Sequence, residues 1–441
     1  MPFCGPPRRR AVRISTYGLV MRPCRSLLLL PALVLLLAGC RTAAPGPDVP
    51  PSPSDWEISL SREIDEEPRR TIGSASRGIW VSNELEGGRA SDVRFEGDSL
   101  VVVRIDAENT PVNSSAWYAF RIHAESPDTI RVRLDYPDGR HRYWPKIGPG
   151  HPDAPTPPEA WVAADSAQVE LRPEEESMIL TLAVGPEPII VAGQELLTSR
   201  WFGHWVDGLA ARSGVERSTI GTSARGRPIE LVQFGNPAAT RHVVLISRQH
   251  PPEVTGTLAL VRYVEELLGD GPLATDFREG FRVHLVPLVN PDGVDLGHWR
   301  HNSGGVDLNR DWVAFHQPET RLVRDTFREL LGAPEQEVWF FADFHSTNRD
   351  VFFTLDRRLP TTPPEILDPW LEGLRAAVPQ YDLPDAPSGL ATPMSRNWFY
   401  REFAAPGLIY EVGDHTDRSR IAEVAEAASR AMMEVLIARS R

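Results

Sequence analysis

Between Ser99 and Val184, apolar and polar residues alternate in short runs: Ser99–Ile105, Ala116–His123, Thr129–Tyr136, Ala167–Leu171 and Met178–Val184. Pro, Gly, Asp and Asn separate them. A period of two puts one side of each run inside and the other outside. Several such strands without long helical patterns predict an antiparallel β-sandwich. Pro145 to Pro158 holds six prolines and is predicted to be a loop between strands. Near Thr198 the pattern changes. Ser199–Arg212, with Thr198 before it and Gly214 beyond, predicts a capped helix. Strands and helices then alternate: Ile229–Phe234, His242–Ser247, Thr255–Leu268, Arg282–Leu288, Thr320–Leu331, Val338–Phe344, Pro364–Ala377, Gly407–Tyr410 and Ile421–Ala438. Largely apolar strands between amphipathic helices predict an α/β body, a mixed twisted sheet covered by helices on both faces. The expected organisation is a β-sandwich domain over 55–190 followed by the α/β domain over 195–441.

The first forty residues form a different pattern. Leu27–Leu37 is apolar throughout, preceded by Arg22 and Arg25 and followed by Leu37-Ala38-Gly39-Cys40. Eleven residues are too few to span a bilayer as a helix, but a charged, an apolar and a small-residue region in this order make a signal peptide. The cysteine after Leu-Ala-Gly resembles the bacterial lipobox, which implies cleavage after 1–39 and acylation of Cys40; Met21 is a second candidate start. Residues 43–54 are five-twelfths proline, so 40–54 reads as an acylated cysteine and an extended spacer. The expectation is an exported lipoprotein of the bacterial envelope, facing the periplasm, with the outer membrane slightly favoured and the Cys40 lipid its only membrane contact. The three cysteines, Cys4, Cys24 and Cys40, all precede residue 41, which excludes a disulfide framework or cysteine chemistry in the folded body. The chain carries 47 Lys+Arg against 60 Asp+Glu, a net charge of −13. That balance argues against nucleic acid as a partner.

Candidate chemistry is confined to the second body. His250-Pro251-Pro252-Glu253 follows one predicted strand and opens a helix, so imidazole and carboxylate can converge on one ion, and Zn²⁺ accepts such donors. The same spacing recurs at His316-Gln317-Pro318-Glu319. No strand delivers His316, and it is expected not to be a ligand. Downstream lie Asn290-Pro291-Asp292-Gly293, which marks a tight turn, and Trp299-Arg300-His301-Asn302-Ser303-Gly304-Gly305-Val306-Asp307-Leu308-Asn309-Arg310-Asp311-Trp312. His345 and Glu411 stand at the ends of buried strands, where the sites of open α/β sheets are found.

In this order the motifs resemble the carboxypeptidase A-like zinc metallocarboxypeptidases, and the Gly221–Ile229 segment is similar to that family's leading hairpin. The preceding sandwich, with Trp117-Tyr118-Ala119-Phe120-Arg121-Ile122, is similar to the cytosolic-carboxypeptidase branch and its bacterial relatives. The resemblance implies one Zn²⁺ per chain, bound by His250, Glu253 and His345 with a fourth position for water, and Asp307 orienting the first histidine. It implies Glu411 as the general base and Arg300 as the group that polarises the scissile carbonyl. Asn309 and Arg310 would bind the terminal carboxylate of a peptide or protein substrate.

Aligned back from Glu411, Ser395-Arg396-Asn397-Trp398 is similar to the family's Ser-x-Asp-Trp stretch, whose second residue points at the substrate's last side chain. Arg396 there implies a preference for C-terminal Glu or Asp; the competing expectation is that Arg396 turns outward or pairs with Asp382 or Asp385. Position 389 departs from the family, holding Gly where a mobile tyrosine is common, with Tyr381 the nearest candidate. Two other readings stand beside this one: a peptidase of peptidoglycan stem peptides, and a catalytically silent binding lipoprotein.

Overall fold

The computed structural model describes residues 58–97, 99–150 and 155–441. The leader, Cys40 and the proline-rich 43–54 lie outside the described residues. All described residues belong to one compact unit, Val49–Arg441. Among them, no helix is long and apolar enough to cross a membrane.

The alternating runs of the first body form two sheets. One has the order β1 (Thr71–Ser74), β2 (Ile79–Ser82), β5 (Ala119–Ala124), β11 (Ile189–Ala192), β7 (Lys146–Pro149), β8 (Val162–Ala163). The other has the order β3 (Asp92–Glu96), β4 (Leu100–Arg104), β6 (Asp128–Asp135), β10 (Ser177–Val184), β9 (Val169–Arg172). Alternate residues of both point into a shared core: Ile79 and Val81, Phe120 and Ile122 from the first sheet meet Val101 and Val103, Val132 and Leu134 from the second. Two details depart from the expectation. β4 and β6 run parallel, because the chain crosses to the other sheet as β5 before returning. The proline-rich segment is not all loop, since Lys146–Pro149 pairs with β11.

The third sheet has the order β12 (Val215–Thr222), β13 (Pro228–Gly235), β15 (Arg282–Val286), β14 (Arg241–Ser247), β16 (Glu337–Thr347), β18 (Gly407–Gly413), β17 (Val351–Thr354). β15, β14, β16 and β18 are mutually parallel, while β12, β13 and β17 pair antiparallel at the edges. Its apolar runs are explained by the two faces. Val243, Leu245, Val283 and Leu285 enter a core with Leu260 and Val264 of α2 (Val254–Leu267), Trp370 of α6 (Leu367–Ala377) and Met432 of α8 (Arg418–Ser440). Their neighbours Val244, Ile246 and Val286 face away, onto Val323 and Phe327 of α5 (Pro318–Leu331) and Phe399 of α7 (Ser395–Phe403). Burying each large side chain contributes roughly 1.5–3 kcal/mol, and a strand in this sheet gains on both sides.

The remaining helices are α1 (Ser199–Ala210), α3 (Pro272–Gly280) and α4 (Pro291–Leu296). The Asn-Pro-Asp-Gly segment, expected as a bare turn, starts α4: the Asn290 side chain accepts from Gly293 N–H and Pro291 occupies the first helical position. Helix α7 has no counterpart among the elements predicted from the sequence.

Candidate functional site

Strand β14 ends at Ser247, and Arg248 takes a left-handed backbone (φ 59°) that turns the chain towards the sheet's carboxyl edge. The Arg248 guanidinium, buried, donates to Pro251 O (2.9 Å) and Thr257 Oγ1 (3.1 Å) and so ties the turn to the first turns of α2. His250 projects from the turn and Glu253 stands immediately before α2. On the adjacent strand the chain runs two residues beyond His345, to Thr347, and β18 runs two beyond Glu411, to Gly413. Both residues therefore lie inside their strands rather than just past them. In the parallel register His345 is paired with Glu411, which sets the two side chains side by side.

His250, Glu253 and His345 bring one donor atom each to within 4.8 Å of one another. Glu253 Oε1 is 2.8 Å from His250 Nδ1, Glu253 Oε2 is 2.7 Å from His345 Nδ1, and the two Nδ1 atoms are 3.2 Å apart. Two imidazole nitrogens and a carboxylate turned on one point suit a cation, and nitrogen plus oxygen donors in this number suit zinc. The outer nitrogens support this. His250 Nε2 meets Asp307 Oδ1 at 2.8 Å and His345 Nε2 meets Asp343 Oδ2 at 2.9 Å. A carboxylate behind each imidazole fixes its tautomer so that Nδ1 presents a lone pair. Burial opposes ionisation of Glu253, but the two imidazoles hold its carboxyl well below the usual range.

Asp307 serves two partners. Its Oδ2 accepts from Arg300 Nε at 2.7 Å while Oδ1 holds His250, and it caps the turn Leu308–Arg310 by accepting from Asn309 N–H. Despite burial, Arg300 and His250 keep its carboxyl well below the ordinary value. Glu411 is the opposite case. It is half-buried, its shielded Oε2 has no hydrogen-bond partner among the described residues, and desolvation together with the Glu253 charge pushes its carboxyl up to about 8.

The residues expected to hold the substrate are less convergent. Asn309 Oδ1 accepts from Ser395 N–H (3.0 Å) and its Nδ2 lies 3.4 Å from His345 Nε2. Arg310 donates to Asn309 O. Arg396, near the start of α7, is 1% exposed. It donates to Phe353 O (3.0 Å), Thr354 O (2.7 Å), Ser388 Oγ (3.0 Å), Gly389 O (3.2 Å) and Asn397 Oδ1 (2.8 Å). None of these acceptors is a carboxylate, and Asp385 is instead taken by Arg357 (2.8 Å). Burial alone pushes Arg396 down to about 10. Tyr381 is turned to the outside, its hydroxyl donating to Glu423 Oε2 at 2.7 Å. His316 is not part of the donor cluster, and its Nδ1 lies 3.0 Å from Ser59 Oγ.

Two residues of the site have no place in the sequence motifs: Asp343, and Gln249, which donates to it at 2.6 Å. A signal exists for the first. Asp343-Phe344-His345 puts an acid on the same strand face as a candidate ligand.

Residues 203–369 match the Peptidase_M14 family, whose description is zinc carboxypeptidase. That span contains His250, Glu253, Asp307, Asp343 and His345 and ends before Glu411. The chain is 29% identical over 156 residues to human cytosolic carboxypeptidase 6, covering 33% of this chain and 31% of that protein. It is 37% identical over 114 residues to cytosolic carboxypeptidase 2 of Danio rerio, covering 25% of this chain and 16% of that protein. The aligned stretches thus span under a third of these relatives. In fold, the chain is similar to a metallo-carboxypeptidase from Burkholderia cenocepacia, with a TM-score of 0.68 over 82% of this chain and 100% of that one at 19% identity. A metallo-carboxypeptidase from Pseudomonas aeruginosa, solved with (2-guanidinoethylmercapto)succinic acid, gives 0.63 over 82% and 100% at 18%. The matched segment, residues 203–369, is thus similar to a zinc carboxypeptidase domain of the Peptidase_M14 family, and two carboxylate-backed histidines and a glutamate inside it form the donor set.

Proposed function

We propose that the protein removes the C-terminal residue of peptides or proteins by zinc-dependent hydrolysis, with a preference for Glu or Asp at that position. The observation that carries this reading is the placement of Glu411, with a carboxylate oxygen that no described residue engages, beside the His250–Glu253–His345 cluster. Zinc held there would supply a Lewis acid that polarises a carbonyl and acidifies water. Glu411 takes the proton of the attacking water on its carboxylate and returns it to the leaving nitrogen. Arg300, braced by Asp307, donates to the scissile carbonyl oxygen as negative charge grows on it. Asn309 and Arg310 bind the terminal carboxylate, which restricts cleavage to chain ends.

The acidic preference rests on Arg396. Its contacts with carbonyl, hydroxyl and amide oxygens satisfy hydrogen bonds without supplying a counter-charge, so a substrate carboxylate at the pocket floor would offset a buried cation. An apolar side chain would leave that charge uncompensated. The two sheets before the catalytic domain are read as a β-sandwich domain, and Cys40 as the lipid anchor that holds both bodies at a bacterial envelope membrane.

Peptides differing only in the last residue (Glu, Asp, Leu, Lys) test this by mass spectrometry, beside a Glu411→Gln control. Loss of one Glu or Asp, abolished by a chelator and by the control, is expected. Preferred cleavage of Leu or Lys overturns the Arg396 argument alone. No cleavage of any peptide with zinc bound overturns the peptide reading, and release of amino acids from muropeptides would redirect it to peptidoglycan stems.

A further inference from the structure

Arg300 is held from two sides. Asp307 grips its guanidinium, but its backbone is fixed from outside the catalytic domain, by Glu108 in the segment that follows β4. Glu108 is wholly buried. Its Oε2 accepts from Trp299 N–H at 2.8 Å, and its Oε1 accepts from Arg300 N–H at 3.0 Å and His301 N–H at 2.9 Å. Three successive amides closing on one carboxylate form an anion-binding concavity, and here the anion belongs to the protein itself.

A second anchor lies beside it. The Trp299 ring is fully buried in the core shared by the two sheets. A side chain at Gly139 would meet that ring at 2.8 Å, so Gly139 makes the space it occupies. The Trp299–His301 segment thus belongs sterically to the sheet pair and chemically to the active site. The other candidate catalytic strand has a similar support: Arg142 donates to Asp414 Oδ2 at 2.9 Å and Gln194 to Asp414 O at 2.9 Å, three residues beyond Glu411.

We propose that Glu108 is a positioning residue of the reaction, which sets the Arg300 guanidinium at the scissile carbonyl by clamping the amides of Trp299, Arg300 and His301. The inference rests on the functional reading above. It also gives the sheet pair a role in the chemistry, since the pair completes the catalytic geometry, whereas the cluster's donors and their backing carboxylates all come from the catalytic domain.

The carboxylate is needed because all three contacts are accepted. In Glu108→Gln one oxygen becomes an NH₂ that faces an N–H, so part of the clamp is converted from attraction to repulsion. A displacement of order 1 Å at a catalytic group costs up to about 100-fold in rate. The experiment is a double-mutant cycle in the full protein, on a peptide that the wild type cleaves. Glu108→Gln is expected to lower kcat about 10- to 100-fold, with KM within about threefold, zinc stoichiometry unchanged, and amide exchange at 299–301 accelerated. Adding Glu108→Gln to Arg300→Ala is expected to cost less than about threefold more, because the group it positions is gone. If Glu108→Gln does not fold, Glu108→Asp keeps the charge but withdraws the oxygens by one methylene, and carries the same expectations. Unchanged kcat in an active enzyme overturns the inference, as does an equal loss in both backgrounds, which would mark a merely structural role. A wild type that cleaves nothing overturns the functional reading first, and is told apart by the wild-type arm alone.

Discussion

Gly256, in the first turn of α2, lies against the backbone of the strand that delivers His345. A Cβ built there would stand 2.4 Å from His345 O, 2.7 Å from His345 C and 2.9 Å from His345 N. Backbone atoms cannot rotate away as a side chain would, so restoring ordinary contact at 3.4 Å or more requires helix and strand to part by about 1 Å. Two terms then oppose each other in Gly256→Ala. Ala favours the helix by about 1 kcal/mol, and overpacking costs about 1–3 kcal/mol, so the net destabilisation of the fold is small, about 0–2 kcal/mol. The effect on zinc is larger in proportion, because metal–donor distances tolerate only about 0.2 Å, and the parting would separate His345 from Glu253, three residues before Gly256. Zinc affinity is expected to fall at least as far as when a group supporting a ligand is lost, about 10- to 100-fold, equivalent to about 1.4–2.7 kcal/mol. Gly203→Ala in α1 is the control: a Cβ there meets nothing within 4 Å, so it should stabilise the protein by about 0.5–1 kcal/mol and leave zinc alone. Competition with a chromophoric chelator measures the affinity, and thermal unfolding with and without zinc measures the fold. Wild-type zinc affinity in Gly256→Ala would refute the reasoning.

Asp343→Asn removes the charged acceptor behind His345 Nε2 and should weaken zinc about 10- to 100-fold in the same competition assay; an unchanged affinity would show that the charge behind His345 does not matter. Glu411→Gln should bind zinc as the wild type does while turnover falls by at least about 100-fold, and substantial residual cleavage would remove Glu411 from the role of base. The buried pair His242–His284, 2.9 Å apart, is held neutral: burial lowers both, His284 to about 3. Their contribution is therefore complete above the unfolded value near 6.5 and is lost as pH falls towards the folded value, at about 1.4 kcal/mol per pH unit for each proton taken up on unfolding. Unfolding free energies measured between about pH 7 and 4 should fall less steeply in His284→Gln than in the wild type, and equal slopes would contradict this.

What can be read from the sequence divides along a physical line. His250 and Glu253 are legible together because their relation is local, three residues apart at a strand-to-helix turn. His345 and Glu411 are legible singly, as polar endings of largely apolar runs. That they are neighbours is a property of parallel register between β16 and β18, and no local pattern encodes which strand lies beside which. Asp343 sits in the same apolar run as His345, where the surrounding pattern makes it read as core. Helix α7 escapes the pattern because Ser395–Phe403 mixes polar and aromatic residues, and its stability comes from Trp398 and Phe399 entering the core below the sheet.

Glu108 marks where reading from sequence stops for a deeper reason. It is 191 residues from Trp299 and grips backbone amides, so nothing about the residues it contacts constrains the side chains there. A carboxylate in a strand-rich segment reads as solvated surface, yet this one is fully buried, kept ionised against its burial by His301, His298 and Arg89. The cost of burying an unpaired carboxylate means that the sheet pair and the catalytic segment satisfy each other: three amides would otherwise lack an acceptor, and one anion would lack donors. A polar bond across two cores contributes little net free energy but fixes their relation in one arrangement. In the proposed reaction the arginine that polarises the carbonyl stands on the shared segment, so its placement follows from that arrangement.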